Sequence, residues 1–313
     1  MRAHLHISRS KAARLLAGGV SVLVLTTAGA VAAKEFGEWG PPVSAEALPG
    51  SSSQVNTSAN DGCPIISPDG NYLYMASNRP GGQGGLDIWR APRSGGGWGA
   101  PENLGPPVNT AADEFCPDPA RGNRLFFVRR MSATNTDIFL TRTLPKGFTQ
   151  PERLPTGDDA INSPWEEWSP SYFETEDGRQ VLYFSSTRNG HPAQDIFYSV
   201  NFGPAQFASG GVNSSASDAR PNVRHDGLEI VWDSTRTGSL GATDIWTASR
   251  SSVDEPWGTA VQLGNGINSA AGESRASLSW DGETLVFGSG RPGGEGSADI
   301  YVSTREKVTG RNR

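Results

Sequence analysis

Ser67-Pro68-Asp69-Gly70-Asn71-Tyr72-Leu73-Tyr74-Met75-Ala76-Ser77-Asn78-Arg79-Pro80-Gly81-Gly82-Gln83-Gly84-Gly85-Leu86-Asp87-Ile88-Trp89 is the stretch that decides the fold. Asp-Gly marks a tight turn, and Tyr72 to Met75 suits a half-buried strand. A Gly-rich loop follows, and Asp-Ile-Trp opens another strand. Nothing here has a helical period.

Working outward, the same features recur. Asp-Ile-aromatic stands at Asp87, Asp137, Asp195, Asp244 and Asp299, at intervals of 50, 58, 49 and 55 residues. An Arg precedes each by seven or eight positions: Arg79, Arg129, Arg188, Arg236 and Arg291. Val/Ile-Asn-Ser/Thr keeps the same beat at Asn56, Asn109, Asn162, Asn213 and Asn268. Five residues after each Asn stands an acid: Asp61, Glu114, Glu167, Asp218 and Glu273. Pro64, Pro117, Pro170 and Pro221 follow three residues later, with Ala276 in the fifth repeat. Five copies of one supersecondary unit predict a repeat architecture. Each copy reads as four short strands, the fourth led by a Trp-Gly segment such as Trp98-Gly99 or Trp257-Gly258.

The ends complete the pattern. The last repeat stops after its third strand, near Glu306, and Trp39 to Val43 supplies a fourth. Pairing the two hides both open sheet edges and seals a ring. The expectation is one all-β domain, a five-bladed β-propeller of four-stranded blades over 34–306, with a tail at 307–313.

These residues resemble the WD40-like β-propeller repeat family of exported TolB-type proteins, in Ser67-Pro68-Asp69-Gly70, Ser77-Asn78-Arg79-Pro80 and Asp87-Ile88-Trp89. The resemblance runs from residue 39 to about 306, without the separate N-terminal α/β domain of TolB itself. It implies an exported propeller. Similar propellers include envelope interaction proteins, domains joined to peptidoglycan-binding modules, and polysaccharide-cleaving enzymes.

Composition agrees with a turn-rich globular chain. Of 313 residues, 39 are Gly and 22 Pro, while nine Trp, twelve Phe and six Tyr can fill a core. Residues 1–33 read as a signal peptide: Arg2, Arg9, Lys11 and Arg14, an apolar run from Leu15 to Val31, and small residues at Ala28 to Ala32. An uncleaved anchor is the alternative reading, and no later segment is long enough to span a bilayer. The leader carries four basic and no acidic residues, so its removal takes the net charge from −6 to −10. Phosphate backbones repel such a chain, which argues against nucleic acid as partner. The expected location is periplasmic or extracellular, and the expected state a monomer.

In a four-stranded blade, the Asn-to-acid loop and the Arg-to-Asp loop share one end of the ring, here termed the mouth. The Asp-Gly turns occupy the other, the turn end. Fivefold repetition of acid and Arg suits structural ion pairs and held turns. A ligand is not fivefold symmetric, so a site is sought where repeats differ. The position seven after each Asn should face the axis and reads Cys63, Cys116, Ser169, Arg220 and Arg275. The third repeat adds Trp165, Glu166 and Trp168, with His191 in its loop, and the second adds Asp113. Arg220 and Arg275 with Trp165, Trp168, Ser169 and His191 suit an acidic or sugar-like ligand; packing of the indoles and neutralisation of nearby acids is the competing reading. Cys63 and Cys116 stand at equivalent positions in adjacent blades. A disulfide there stays open, since it requires Cα atoms within about 7 Å.

No metal set, cofactor fingerprint or nucleophile elbow stands in credible context. His225 lies in a turn at the end opposite the mouth, where it is expected to be solvated. A binding or interaction protein recognising a glycan, another small molecule or a cell-envelope protein therefore ranks first. The alternative is a carbohydrate-active hydrolase or lyase using Glu114, Glu166 and Glu167, with the arginines holding an acidic group. Two unpaired carboxylates roughly 5–10 Å apart would mark glycosidase chemistry, and a mouth with every acid paired to Arg would mark binding.

Overall fold

The computed structural model describes residues 36–188, 193–264 and 266–308. Residues 1–33, expected to be a signal peptide, lie outside them, as do His191 and the last five residues.

Five antiparallel sheets stand around an axis, one per repeat, four of them four-stranded and blade 1 with its outermost position shared by two short strands. Blade 1 holds β2 (Asp61–Ile66), β3 (Tyr72–Ser77), β4 (Asp87–Ser94) and the short β5 (Gly97–Trp98) and β6 (Glu102–Asn103), both paired to β4. Blade 2 is β7 (Glu114–Ala120), β8 (Arg124–Ser132), β9 (Asn135–Arg142) and β10 (Glu152–Arg153). Blade 3 is β11 (Glu167–Glu174), β12 (Gln180–Ser186), β13 (Asp195–Val200) and β14 (Gln206–Phe207). Blade 4 is β15 (Asp218–Val223), β16 (Glu229–Ser234), β17 (Asp244–Ser249) and β18 (Val261–Gln262). Blade 5 is β19 (Glu273–Leu278), β20 (Thr284–Ser289) and β21 (Asp299–Thr304), completed by β1 (Val43–Ser44) from the chain's start. Val43 pairs Val302 and Ser44 pairs Tyr301, so the expected closure forms. Phe36 bridges Lys307, one residue beyond the boundary expected at 306.

Each seam between blades has its own apolar core. Between blades 2 and 3, for example, Phe126, Phe184, Ile138 and Leu182 are buried together. Between blades 5 and 1 the cluster includes Leu73, Met75, Trp98 and Val286.

The two repeated motifs turn out to be halves of single devices. Each Asn reaches back one blade to the Ile of Asp-Ile-aromatic and bonds both its backbone groups. Asn109 accepts from Ile88 N (2.9 Å) and donates to Ile88 O (2.9 Å), and Asn162 does the same with Ile138. Asn56 does so to Ile300, tying the start of the chain to its end. Every buried main-chain pair needs partners, and this amide supplies them across a seam that no sheet spans. The acids hold their own loops. Glu167 accepts from Ser163 N and Oγ, Ser186 Oγ and Arg188, and Asp61 is engaged in the same way by Thr57, Ser77 and Arg79. The arginine then donates onward to a carbonyl of the incoming loop, such as Ile161 O or Val55 O. Glycines of the following loop make way for the Asp of the triplet. A Cβ on Gly294 would stand 1.8 Å from Asp299 Oδ2.

Candidate functional site

Every inner strand carries a β-bulge at the position seven after its Asn. Cys63, Cys116, Ser169, Arg220 and Arg275 all adopt left-handed backbone there, with φ between 47° and 59°. Bulges re-aim side chains, and these five converge on the axis. The expected convergence holds, and its cause is the bulge rather than strand phase. Cys63 and Cys116 form a disulfide, with Cα atoms 4.8 Å apart.

At the mouth the carboxylates named in the sequence are spoken for. Glu114 and Glu167 are fully buried. Glu114 is held by Thr110 and Arg129, and Glu167 by Ser163, Ser186 and Arg188. Burial pushes both carboxyls up against those bonds. Glu166 is half-buried, 3.6 Å from Arg130, which also binds Asp113 at 3.0 Å. Trp165 is half-buried in the loop before β11, its carbonyl accepting from Asn135 (2.6 Å). Trp168 meets Phe115 edge-on at 6.2 Å and carries Arg220 over its ring at 5.6 Å. Arg220 clasps both oxygens of Asp233. Trp168, Glu166, Arg220 and Asp233 border a cavity of about 220 Å³. Trp165 and the buried glutamates do not.

A second device crosses the seams two residues beyond the bulge. Asp118 Oδ2 accepts from Tyr172 N (2.8 Å), Ser171 Oγ from Val223 N (2.8 Å), and Asn222 Oδ1 from Leu278 N (2.9 Å). Ser277 Oγ donates to Pro64 O (2.6 Å). The ring of latches breaks only between blades 1 and 2. There the equivalent of the acceptor is Ile65, and the equivalent of the donor is Pro119, which has no N–H. The Cys63–Cys116 bond closes that same seam.

Asp118 is the one ionisable member of this ring, and it lines a larger cavity at the turn end. All five blades contribute to this funnel of about 310 Å³, through Ile66, Asp118, Tyr172, Asn222 and Trp280 among others. Desolvation raises the Asp118 carboxyl to about 8, opposed only by the Tyr172 bond, so at neutral pH it carries a proton. Glu174, on the rim, is held below its usual range by hydrogen bonds from Tyr172 Oη (2.6 Å) and Arg124 (2.5 Å). Above them His225 stacks on Trp280 at 4.3 Å, and Arg121 lies over the same indole at 4.0 Å. His225 is thus half-buried against an aromatic ring, not solvated as its turn suggested. The latch role of Asp118 is visible only in three dimensions. Its signal in the sequence was an acid at a position where other repeats have Ile65, Ser171, Asn222 and Ser277.

Among the described residues, no group of three or more His, Cys, Asp or Glu side chains is placed to hold a metal ion.

The molecule is a five-bladed β-propeller, and solved structures of that architecture resemble it. An α-L-arabinofuranosidase from Podospora anserina in complex with cellotriose superposes with a TM-score of 0.52 at 12% identity, covering 86% of this chain and 96% of that one. A GH43_1 enzyme from Xanthomonas citri complexed with xylotriose gives 0.53 at 13%, covering 83% and 90%. The GH43 protein BlXynB from Bacillus licheniformis gives 0.50 at 16%, over 84% of this chain and 57% of its own. At these identities the likeness establishes the fold. No protein-family model and no curated protein matches the chain.

Proposed function

We propose that the chain is a carbohydrate-active hydrolase whose glycan enters the funnel at the turn end. The observation that carries this reading is Asp118. Asn222 performs the same latch in blade 4 at nearly the same distance, so the fold needs an amide oxygen there and no acid. An ionisable group kept neutral beside one kept charged is the usual signature of an acid and a base sharing a pocket. Asp118 would donate its proton to the leaving glycosidic oxygen, breaking its bond to the anomeric carbon. Glu174 would take a proton from the water that attacks that carbon, and the two carboxyls then exchange protons with solvent to reset. Trp280, with His225 and Arg121 packed on its ring, lines the rim of the funnel.

The fold neighbours support carbohydrate as the ligand class. Two of them are described with cellotriose and xylotriose, so β-linked gluco- and xylo-oligosaccharides, with arabinosides, head the panel. The leader sequence, the disulfide and the TolB-type repeat resemblance support export to the periplasm or beyond.

The test is turnover on that panel by wild type, Asp118→Asn and Glu174→Gln, each checked for wild-type binding and for a single cooperative unfolding transition. Loss of turnover in Asp118→Asn with the fold intact supports the assignment, and unchanged turnover refutes it. A second reading, glycan binding without cleavage, is favoured by the mouth, where Glu114, Glu166, Glu167 and Asp233 all pair with Arg. Binding with no turnover in wild type selects it.

A further inference from the structure

The mouth carries a charge that the chain itself does not balance. Arg220 and Arg275 stand side by side on the bulges of blades 4 and 5, with Asp233 as their one shared carboxylate. Arg220 occupies both Asp233 oxygens through Nε and Nη2. Arg275 reaches Asp233 only through its backbone N–H, at 2.9 Å. Its side chain makes no hydrogen bond or ion pair among the described residues, and its Nε is buried without a partner. The nearby acids are committed elsewhere. Glu166 and Asp113 go to Arg130, while Asp61 and Glu273 are fully buried on Arg79 and Arg291. Burial and the like charge of Arg220 lower the Arg275 guanidinium to about 10, so the bare charge is held at a cost that an anion would relieve.

Room for this guanidinium is built in. Gly62 faces it from blade 1, and any side chain there would put its Cβ 2.8 Å from Arg275 Nη1. Two further buried polar atoms at the same end lack partners, Trp168 Nε1 and Ser169 Oγ. Such orphans are rare in native folds and ask for a partner supplied from outside. The adjoining cavity of about 220 Å³ shares Arg220 with the axial cluster that holds Arg275; Thr187, Gln194, Ser217, Thr235 and Thr243 wall it around the Trp168 ring, together with Glu166 and Asp233, whose charges are taken up by Arg130 and Arg220. Hydroxyls and an amide around an indole suit a polyol, and the volume is below that of a drug-sized site, which suits one ring rather than a chain.

We propose that the mouth is a binding site for a terminal uronic acid residue, with its carboxylate on Arg275 and its ring in the cavity beside Trp168. This site lies at the opposite end of the axis from the funnel and does not depend on hydrolysis there. Guanidinium groups recognise carboxylates bidentately, and this specificity separates a uronate from its neutral sugar.

The test is calorimetric titration of the propeller with glucuronate and galacturonate, against glucose, galactose, acetate and chloride. The expected result is uronate binding roughly tenfold or more tighter than the matched neutral sugar, and tighter than acetate. Arg275→Gln should lose that margin. Gly62→Ala, which keeps the charge but displaces the guanidinium, should weaken uronate and leave the neutral sugar unchanged. It therefore tests the site should Arg275→Gln fail to fold. Asp118→Asn should bind uronate as wild type does, which keeps this site's outcome separate from that of the funnel. Equal affinity for acid and neutral sugars, acetate or chloride binding as tightly as uronate, or an unaltered affinity in Gly62→Ala would each overturn the proposal.

Discussion

Asp118→Asn should make the protein more stable at neutral pH than at acid pH relative to wild type. Burial pushes the Asp118 carboxyl up to about 8 in the folded protein, whereas the unfolded chain keeps the ordinary aspartate value near 3.8. The folded state therefore holds a proton that the unfolded state releases. Its contribution is fully present below about pH 4 and is lost as pH rises towards 8. Integrating the two titrations gives a penalty of about 2 kcal/mol at pH 5 and about 4 kcal/mol at pH 7, a difference of roughly 2–3 kcal/mol. Asparagine does not titrate, and it keeps the bond to Tyr172 N as Asn222 keeps its bond to Leu278 N. The variant-minus-wild-type difference should therefore grow by about that amount between pH 5 and 7, or about 5–10 °C in melting temperature for a domain of this size. Differential scanning calorimetry of both proteins at matched ionic strength reads it. A difference that stays flat from pH 5 to 7 means that Asp118 is charged throughout, and its assignment as a general acid falls with it.

Replacing Cys63 and Cys116 by Ser opens a loop of 53 residues. Urea unfolding should show a loss of about 4 kcal/mol, and reductant should reproduce it in wild type. Asn222→Ala leaves Leu278 N–H without its acceptor and should cost about 1–3 kcal/mol in the same assay. Gly241→Ala would put a Cβ 1.5 Å from Ala271 O at the seam of blades 4 and 5. Backbone must move to admit it, so a loss of about 3 kcal/mol or failure to fold is expected, read by soluble yield and calorimetry.

The fold was legible because its signals are local and repeated. Asp-Gly turns, alternating strands and the five Asp-Ile-aromatic triplets each specify a few residues, and the missing strand came from the expected N-terminal stretch, though it forms at Val43–Ser44 at the end of that stretch rather than over Trp39 to Val43. What those motifs do for one another was not legible, because Asn109 and Ile88 meet across a seam that sequence distance hides. The site was legible in part. The position seven after Asn does break the symmetry at the axis, and Cys63 with Cys116 does bridge. Glu114 and Glu167, by contrast, share their environment with Asp61, Asp218 and Glu273, and that repetition already marked them as structural. Asp118 was missed because its neighbours in the ring, Ile65, Ser171, Asn222 and Ser277, share no chemistry that a repeat comparison would flag. Their common feature is a backbone partner in the next blade.

That ring also explains why the covalent bond falls where it does. Four seams are held at the axis by a side chain reaching the next inner strand. The fifth cannot be, because Pro119 has no N–H and Ile65 has no acceptor. A closed propeller is no stronger than its weakest seam, since opening one exposes two sheet faces at once. The disulfide lies at that seam, one bulge away from the missing latch. The same substitution freedom that left blade 1 without a latch acceptor put an ionisable residue in blade 2. The asymmetry of the axis thus has one structural consequence, the Cys63–Cys116 bond, and one chemical consequence, a carboxyl at the floor of the funnel whose proton burial favours.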